Sequence, residues 1–194
     1  MMRALVAIVP VALVAFLGAA FLPAQQDSSK PASSKQDKGE KLAPYFPTPE
    51  TIVDQMLKLG ELKAGETMFD LGSGDGRIVI DAARKYKAKA IGVELDDSLY
   101  KQSMERIKSL GLSNTAYSIH GDLLKQDSSS ADLLTVYLLP VATEMVTPIL
   151  ERQLRRGARI VAHDFQFAAW KPERTVDIDD DGEGRAHELY LYRR

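Results

Sequence analysis

Residues 69–80 read FDLGSGDGRIVI, and the fold turns on how this stretch is parsed. A short apolar strand, Thr67 to Leu71, runs into glycines at 72, 74 and 76, and a helix from Arg77 to Tyr86 follows. Glycine lets the backbone approach a ligand closely, and the free amides at the start of a helix point at the same spot. A strand, a glycine turn and a helix in that order form the ligand-holding corner of an open α/β sheet.

The pattern repeats on both sides of the turn. Before it, Thr48-Pro49-Glu50 starts a helix whose Ile52, Val53, Met56, Leu57 and Leu59 fall at helical spacing. After it come a strand over 89–95, a helix over 98–110 stopped by Gly111, and a strand over 115–120. A nearly continuous apolar strand, DLLTVYLL, covers 132–139, then a helix 141–154 and a strand 159–164. Continuous apolar strands are buried on both faces, as in the middle of a parallel sheet. Past Asp164 the rhythm changes to two short strands, 174–178 and 187–192, joined by an acidic turn. The expectation is an α/β fold: a doubly wound, Rossmann-like sheet, mostly parallel, ending in a C-terminal antiparallel hairpin.

Of the 194 residues, those after the N-terminal tail suffice for one full core, over 44–194. A net charge of −2 gives no basic field for nucleic acid. The absence of cysteine excludes disulfides, cysteine nucleophiles and thiolate zinc sites. Ala4 to Leu22 is an almost unbroken apolar run, long enough at helical rise to cross a ~30 Å hydrocarbon core. Residues 1–24 therefore read as a signal peptide, with small residues at 18–20 or 24 for cleavage, or as a membrane anchor. One arginine precedes the run, whereas Lys30, Lys35, Lys38 and Lys41 follow it, which favours an anchor with the domain cytoplasmic over export after cleavage. Residues 25–43 read as a flexible linker.

Charge selects the ligand of the glycine turn. A dinucleotide fingerprint, G-x-G-x-x-G, would need glycine at 77, where this chain has Arg77. Asp70 lies beneath the turn and Asp75 inside it, and each would repel a pyrophosphate by on the order of a few kcal/mol at intermediate dielectric. S-adenosylmethionine carries a sulfonium and an ammonium, for which Asp70 is an asset. Glu94, at the second strand end, is placed to accept ribose hydroxyls, as it would be in a nicotinamide enzyme too. Asp122 follows the third strand and is placed to accept from an adenine amine, with Leu123 as an apolar wall. The competing reading makes each acid a helix cap or a solvated turn. No resident metal is expected.

In order and spacing, DLGSGDGRIVI, GVELD and GDLL resemble motifs I, II and III of the class I methyltransferases. More narrowly, YFPTP, DLGSGDGRIVI, VYLLP and HDFQFAAWKP resemble the lysine methyltransferases of the ATP synthase c-subunit type and their bacterial relatives. The resemblance implies that Tyr45, Pro47 and Thr48 close over the methionine end of the cofactor, beside the turn residues Gly72, Ser73 and Gly74. Arg77 either reaches the cofactor carboxylate or is an ordinary helix residue in solvent. The resemblance also implies a protein substrate with an accessible lysine and, through the N-terminal segment if uncleaved, membrane association; the charge balance sets the expectation of no nucleic acid.

VYLLP, residues 136–140, leaves the fourth strand where methyl transfer would occur. Tyr137 and Pro140 bring no amide or acid, which argues against holding a nucleobase amine. Lysine methylation needs less: an apolar channel lowers an inserted lysine's pKa by desolvation, and transfer is then mainly alignment. Tyr137, Phe165, Phe167 and Trp170 are the candidates to wall such a channel, with Asp164 to orient the ammonium or accept its proton. The aromatics serve equally as cover for a sheet edge that lacks a helix. His163 is either a base or a residue of the sheet interior. Small-molecule methylation and a non-catalytic S-adenosylmethionine-binding module remain open. Asp177 to Glu188 fits the D-x-D-x-D-G-x5-E calcium-loop pattern. No helix is expected on either side, so a solvated hairpin turn is the preferred reading.

Overall fold

A computed structural model describes residues 45–194. The apolar run, the linker and their lysines lie outside them. Among the described residues no helix is long and apolar enough to cross a membrane.

The elements are α1 (Glu50–Leu59), β1 (Thr67–Leu71), α2 (Arg77–Tyr86), β2 (Lys89–Glu94), α3 (Asp97–Ser109), β3 (Ala116–His120), β4 (Leu133–Val136), α4 (Pro140–Gln153), β5 (Arg159–His163), β6 (Arg174–Ile178) and β7 (His187–Arg193), with a short 3-10 turn at Leu123–Lys125. The seven strands form one sheet in the order β3-β2-β1-β4-β5-β7-β6. β1 to β5 pair in parallel, and β7 runs antiparallel to both β5 and β6. The chain winds outward from β1 to β3, then returns to lay β4 beside β1. That reversal opens a cleft at the carboxyl ends of β1 and β4, where ligands of such sheets bind.

Alternation along the strands sorts the core into two layers. Met68, Leu133, Val161, Leu189 and Leu191 face α1, α2 and Ile107 of α3. Phe69, Leu134, Ile160, Tyr190 and Tyr192 face Ala142, Val146 and Leu150 of α4. β4 and β5 are buried at every residue, whereas β6, at the sheet edge, is mostly exposed. Each fully buried Leu or Ile contributes about 1.5–3 kcal/mol relative to exposure.

β4 stops at Val136 rather than Leu139. Tyr137, Leu138 and Leu139 leave the sheet, and Pro140, exposed, opens α4 as its first residue. A proline fits there because the first helical N–H has no intrahelical partner. At α1 the cap position is Pro49, with no side-chain cap, so Thr48 does not cap the helix it precedes.

The acidic loop is the β6–β7 connection, with a strand on each side. Asp180 Oδ1 accepts from the amides of Gly182 and Gly184, and Asp181 Oδ1 from those of Glu183 and Arg185. These carboxylates fold the turn onto itself.

Candidate active site

The glycine turn leaves β1 with the amides of Gly72 and Ser73 donating to the Val93 carbonyl of β2, at 2.9 and 3.0 Å. Gly76 is the N-cap of α2 at φ 79°, and a Cβ there would lie 2.2 Å from Ser103 Oγ. Gly74, at φ 53°, lies under the Tyr45 ring, which a Cβ would meet at 2.7 Å. Both positions need glycine for conformation and for space.

Beside this turn is a cleft of about 890 Å3 including its open mouth. It gathers Tyr45, Thr48, Asp70, Gly72, Ser73, Gly74, Arg77, Glu94, Asp122 and Leu123, the set expected around the cofactor, and Tyr137 from the acceptor set. Pro140, Asp164, Phe165 and Trp170 do not line it.

The acids differ sharply. Asp70 is buried; Thr135 Oγ1 donates to its Oδ1 at 2.8 Å, while its Oδ2 has no partner among the described residues. Burial pushes its carboxyl up to about 7, with Glu94 and Asp75 adding to the shift and the Thr135 bond opposing it. Glu94 accepts from the Gly74 amide at 2.7 Å and the Asp96 amide at 2.8 Å. Asp122 Oδ1 accepts from the Leu124 amide at 2.9 Å and caps the 3-10 turn. Asp122 thus takes on the capping reading and Glu94 braces the glycine turn, while both also line the cleft. A carboxylate has about four acceptor sites, so each retains capacity for a ligand.

Asp75 departs from expectation. Arg77 grips it through Nε and Nη2 at 3.0 Å each, and Arg106 Nη1 adds a bond at 2.5 Å. Burial would raise its carboxyl, but the two guanidiniums hold it below its ordinary value. Its charge is paired inside the protein, so the case against pyrophosphate rests on Asp70. Arg77 lines the cleft but is engaged within the protein. Its fork is taken by Asp75, and its Nη1 donates to the Thr48 carbonyl at 2.8 Å, tying the 45–48 segment to α2.

An orphaned, buried carboxylate oxygen, next to a second acid and a glycine turn that admits close approach, fits a cationic cofactor and disfavours a phosphate. The residues present therefore fit S-adenosylmethionine.

On the β4–β5 side, Tyr137 O–H donates to Asp164 Oδ2 at 3.1 Å, and its ring lies 4.0 Å from His163 and 6.1 Å from Phe165. Burial and the Asp164 charge push the phenol up to about 12, so it stays protonated. Asp164, expected beside the substrate ammonium, does not line the cleft and is linked to it through Tyr137. His163 takes the interior reading: it is fully buried, and burial lowers its pKa against the upward pull of Asp164.

Trp170 and Phe167 settle between channel and cover. Phe167 is fully buried, Trp170 stacks on it at 4.5 Å, and Tyr192 meets both edge-on. Trp170 Nε1–H donates to Glu151 of α4 at 2.9 Å. They roof the β5–β7 end of the layer that α4 leaves uncovered. Phe165, half-buried, backs Tyr137.

Sequence reasoning missed Thr135 and Arg106. Thr135 had a signal, as the one hydroxyl inside an apolar strand. Arg106, on a helix rich in charge, had none.

Fold and cleft together define a class I, S-adenosylmethionine-dependent methyltransferase. The ANTKMT methyltransferase domain matches residues 70–174, and the chain belongs to that family. It is 36% identical over 150 residues to a protein-lysine N-methyltransferase of Saccharolobus islandicus, covering 77% of this chain and 92% of that one. To the ATP synthase c-subunit lysine N-methyltransferase of Rattus norvegicus it is 33% identical over 133 residues, 69% of this chain and 61% of the rat protein. A crystal structure described as an RNA methyltransferase from Salinibacter ruber, in complex with S-adenosyl-L-homocysteine, superposes with a TM-score of 0.72 at 40% identity, over 76% of this chain and 93% of that one.

Proposed function

We propose that this chain transfers a methyl group to the ε-amine of a lysine in a protein substrate. The observation that carries the proposal is the acceptor end of the cleft. There Tyr137 and Leu138 form the wall, and residues 137–140 offer no amide or acid to hold a base amine. The lysine-methylating relatives from Saccharolobus islandicus and rat support the same reading.

S-adenosylmethionine supplies the electrophilic methyl group. Asp70 would face its positive charge, Glu94 its ribose hydroxyls and Asp122 its adenine amine, with Leu123 against the ring. Tyr45 and Thr48 would cover the methionine end from the strap that Arg77 holds down. The lysine enters along Tyr137, where an apolar wall favours its neutral, nucleophilic form. Asp164 acts through Tyr137 by fixing its hydroxyl, and is a positioning residue.

A second reading, RNA methylation, is favoured by the name of the Salinibacter ruber protein and by a 32% identical match over 90 residues to an rRNA adenine N-6-methyltransferase of Escherichia coli. The net charge of −2 weighs against it, since phosphate contacts supply most nucleic-acid affinity. We also propose that residues 4–22 hold the domain at a membrane on its cytoplasmic side, where S-adenosylmethionine is made. A partner reached there would be membrane-associated. External protease digesting the domain in intact spheroplasts would reject that orientation.

The test is methyl transfer from labelled S-adenosylmethionine into a lysate of cells lacking the chain. Protease-sensitive, nuclease-resistant label that hydrolyses to methyl-lysine is the expected result. Label in methylated nucleosides or in small molecules overturns the proposal.

A further inference from the structure

At the end of β5 and the start of β7, three ligand-type atoms converge beside the cleft. His163 Nε2 lies 2.9 Å from His187 Nδ1, His163 Nε2 lies 3.4 Å from Asp164 Oδ2, and His187 Nδ1 lies 3.3 Å from the same oxygen. Both histidines are buried, and Asp164 is partly so.

With His187 as a neutral imidazole, hydrogen bonding does not satisfy this triangle. His187 Nε2 faces the buried Asp181 carboxylate at 3.3 Å, which sets Nε2 as the protonated nitrogen and leaves Nδ1 a lone pair. A proton on His163 Nε2 then serves the 2.9 Å contact. The His187 lone pair and the Asp164 oxygen still confront each other at 3.3 Å, acceptor to acceptor. The Tyr137 hydroxyl already donates to that oxygen from the other side.

With both imidazoles neutral, one cation satisfies all three. A tetrahedral ion with bonds of about 2.0–2.1 Å sets its ligand atoms roughly 3.3 Å apart, which these edges approach. The surroundings are those of a metal centre. Asp181 backs His187, as carboxylates back metal-bound imidazoles, and Thr48 Oγ1 faces His163 Nδ1 at 3.4 Å. The Glu188 amide holds Asp164 Oδ1 at 3.1 Å, and the Asp164 backbone takes the left-handed φ of 57° that aims its carboxylate inward.

We propose that His163 Nε2, His187 Nδ1 and Asp164 Oδ2 bind one divalent transition ion of the zinc class. Two imidazoles and a carboxylate suit zinc, cobalt or nickel rather than calcium or magnesium. The ion ties β5 to the β6–β7 hairpin and, through Tyr137 and Thr48, stiffens the wall where the acceptor enters. This revises the expectation that the chain holds no metal, and it stands whether or not the acceptor is lysine.

The test uses the full, untagged chain, stripped with a chelator and titrated with zinc against a chromophoric competitor. One zinc per chain is expected, with magnesium and calcium unable to displace it. His187→Gln should weaken binding at least about 100-fold and Asp181→Asn about 10-fold, whereas His120→Gln, at an exposed site, should leave it unchanged. S-adenosylhomocysteine binding checks that each variant is folded. If the His187 variant does not fold, X-ray absorption of the wild-type zinc form decides. The chain has three histidines, so two imidazoles at about 2.0–2.1 Å support the site. One imidazole or none, absence of stoichiometric zinc, or zinc affinity that survives His187→Gln in a folded variant overturns it.

Discussion

The two halves of the cleft are built in different ways. At the ends of β1, β2 and β3, each functional group sits within a few residues of a strand end. Asp70 precedes the glycine turn, Glu94 closes β2 and Asp122 opens the 3-10 turn. Local rules place them, because a parallel strand delivers its last residues to one edge of the sheet. At the ends of β4 and β5, by contrast, the groups are brought together from afar. Thr48 meets His163 across 115 residues, and His187 arrives from the antiparallel β7. The first half leaves a buried acid short of a partner. The second half crowds its acids and imidazoles against one another.

The largest expected effect tests the first half. Asp70→Asn should lower methyl transfer on the order of 100-fold by removing the charge that faces the cofactor. The same change should raise the melting temperature of the ligand-free protein at pH 8. The folded-state pKa lies near 7, above the ordinary 3.8, so ionisation disfavours the fold increasingly from pH 4 to pH 7. The gap between wild type and variant should close as the pH falls to about 4. Equal melting at every pH would show that Asp70 is solvated normally.

The second half is probed by Tyr137→Phe, which frees Asp164 and removes the hydroxyl at the wall. A kcat reduction of about 10-fold is expected, with S-adenosylmethionine affinity within twofold. An affinity loss instead would move Tyr137 to the cofactor half.

Arg106→Met sharpens the contrast between Asp70 and Asp75. It should lower stability by about 1–2 kcal/mol at neutral pH and activity only a few-fold. The folded-state pKa of Asp75 is depressed, so this contribution is present above its unfolded value and lost as acid protonates it. The stability difference should therefore narrow at low pH in denaturation curves, leaving the bond from Arg106 to the Asp75 carbonyl.

Trp170→Leu should have the smallest effect on activity. As part of the roof over Tyr192 and Phe167 it contributes about 1–2 kcal/mol to stability, and kcat should stay within twofold. A large kcat loss with an intact fold would restore the channel reading.

The same division explains what the sequence made legible. Strand and helix periods placed the elements to within a residue or two, apart from β4, whose apolar run continued past the sheet into the cleft wall at Leu138. The cofactor half was readable because glycine, acid and strand end are adjacent in the chain. Asp75 misled because adjacency does not reveal partners, and Arg106 comes from a different helix. His187 sits in a charged hairpin with no period to mark it, and Asp181 was one acid among several. Their roles exist only once β7 pairs with β5.

The central claim is that Asp70 is the unsatisfied charge that a cationic cofactor completes. Calorimetry of S-adenosylmethionine binding at pH 7, in buffers of different ionisation enthalpy, measures the protons released. Release of about half a proton per site is expected, as a carboxyl poised near 7 ionises against the cofactor, and it should disappear in Asp70→Asn. Binding of equal strength and equal proton count in wild type and variant would contradict the claim.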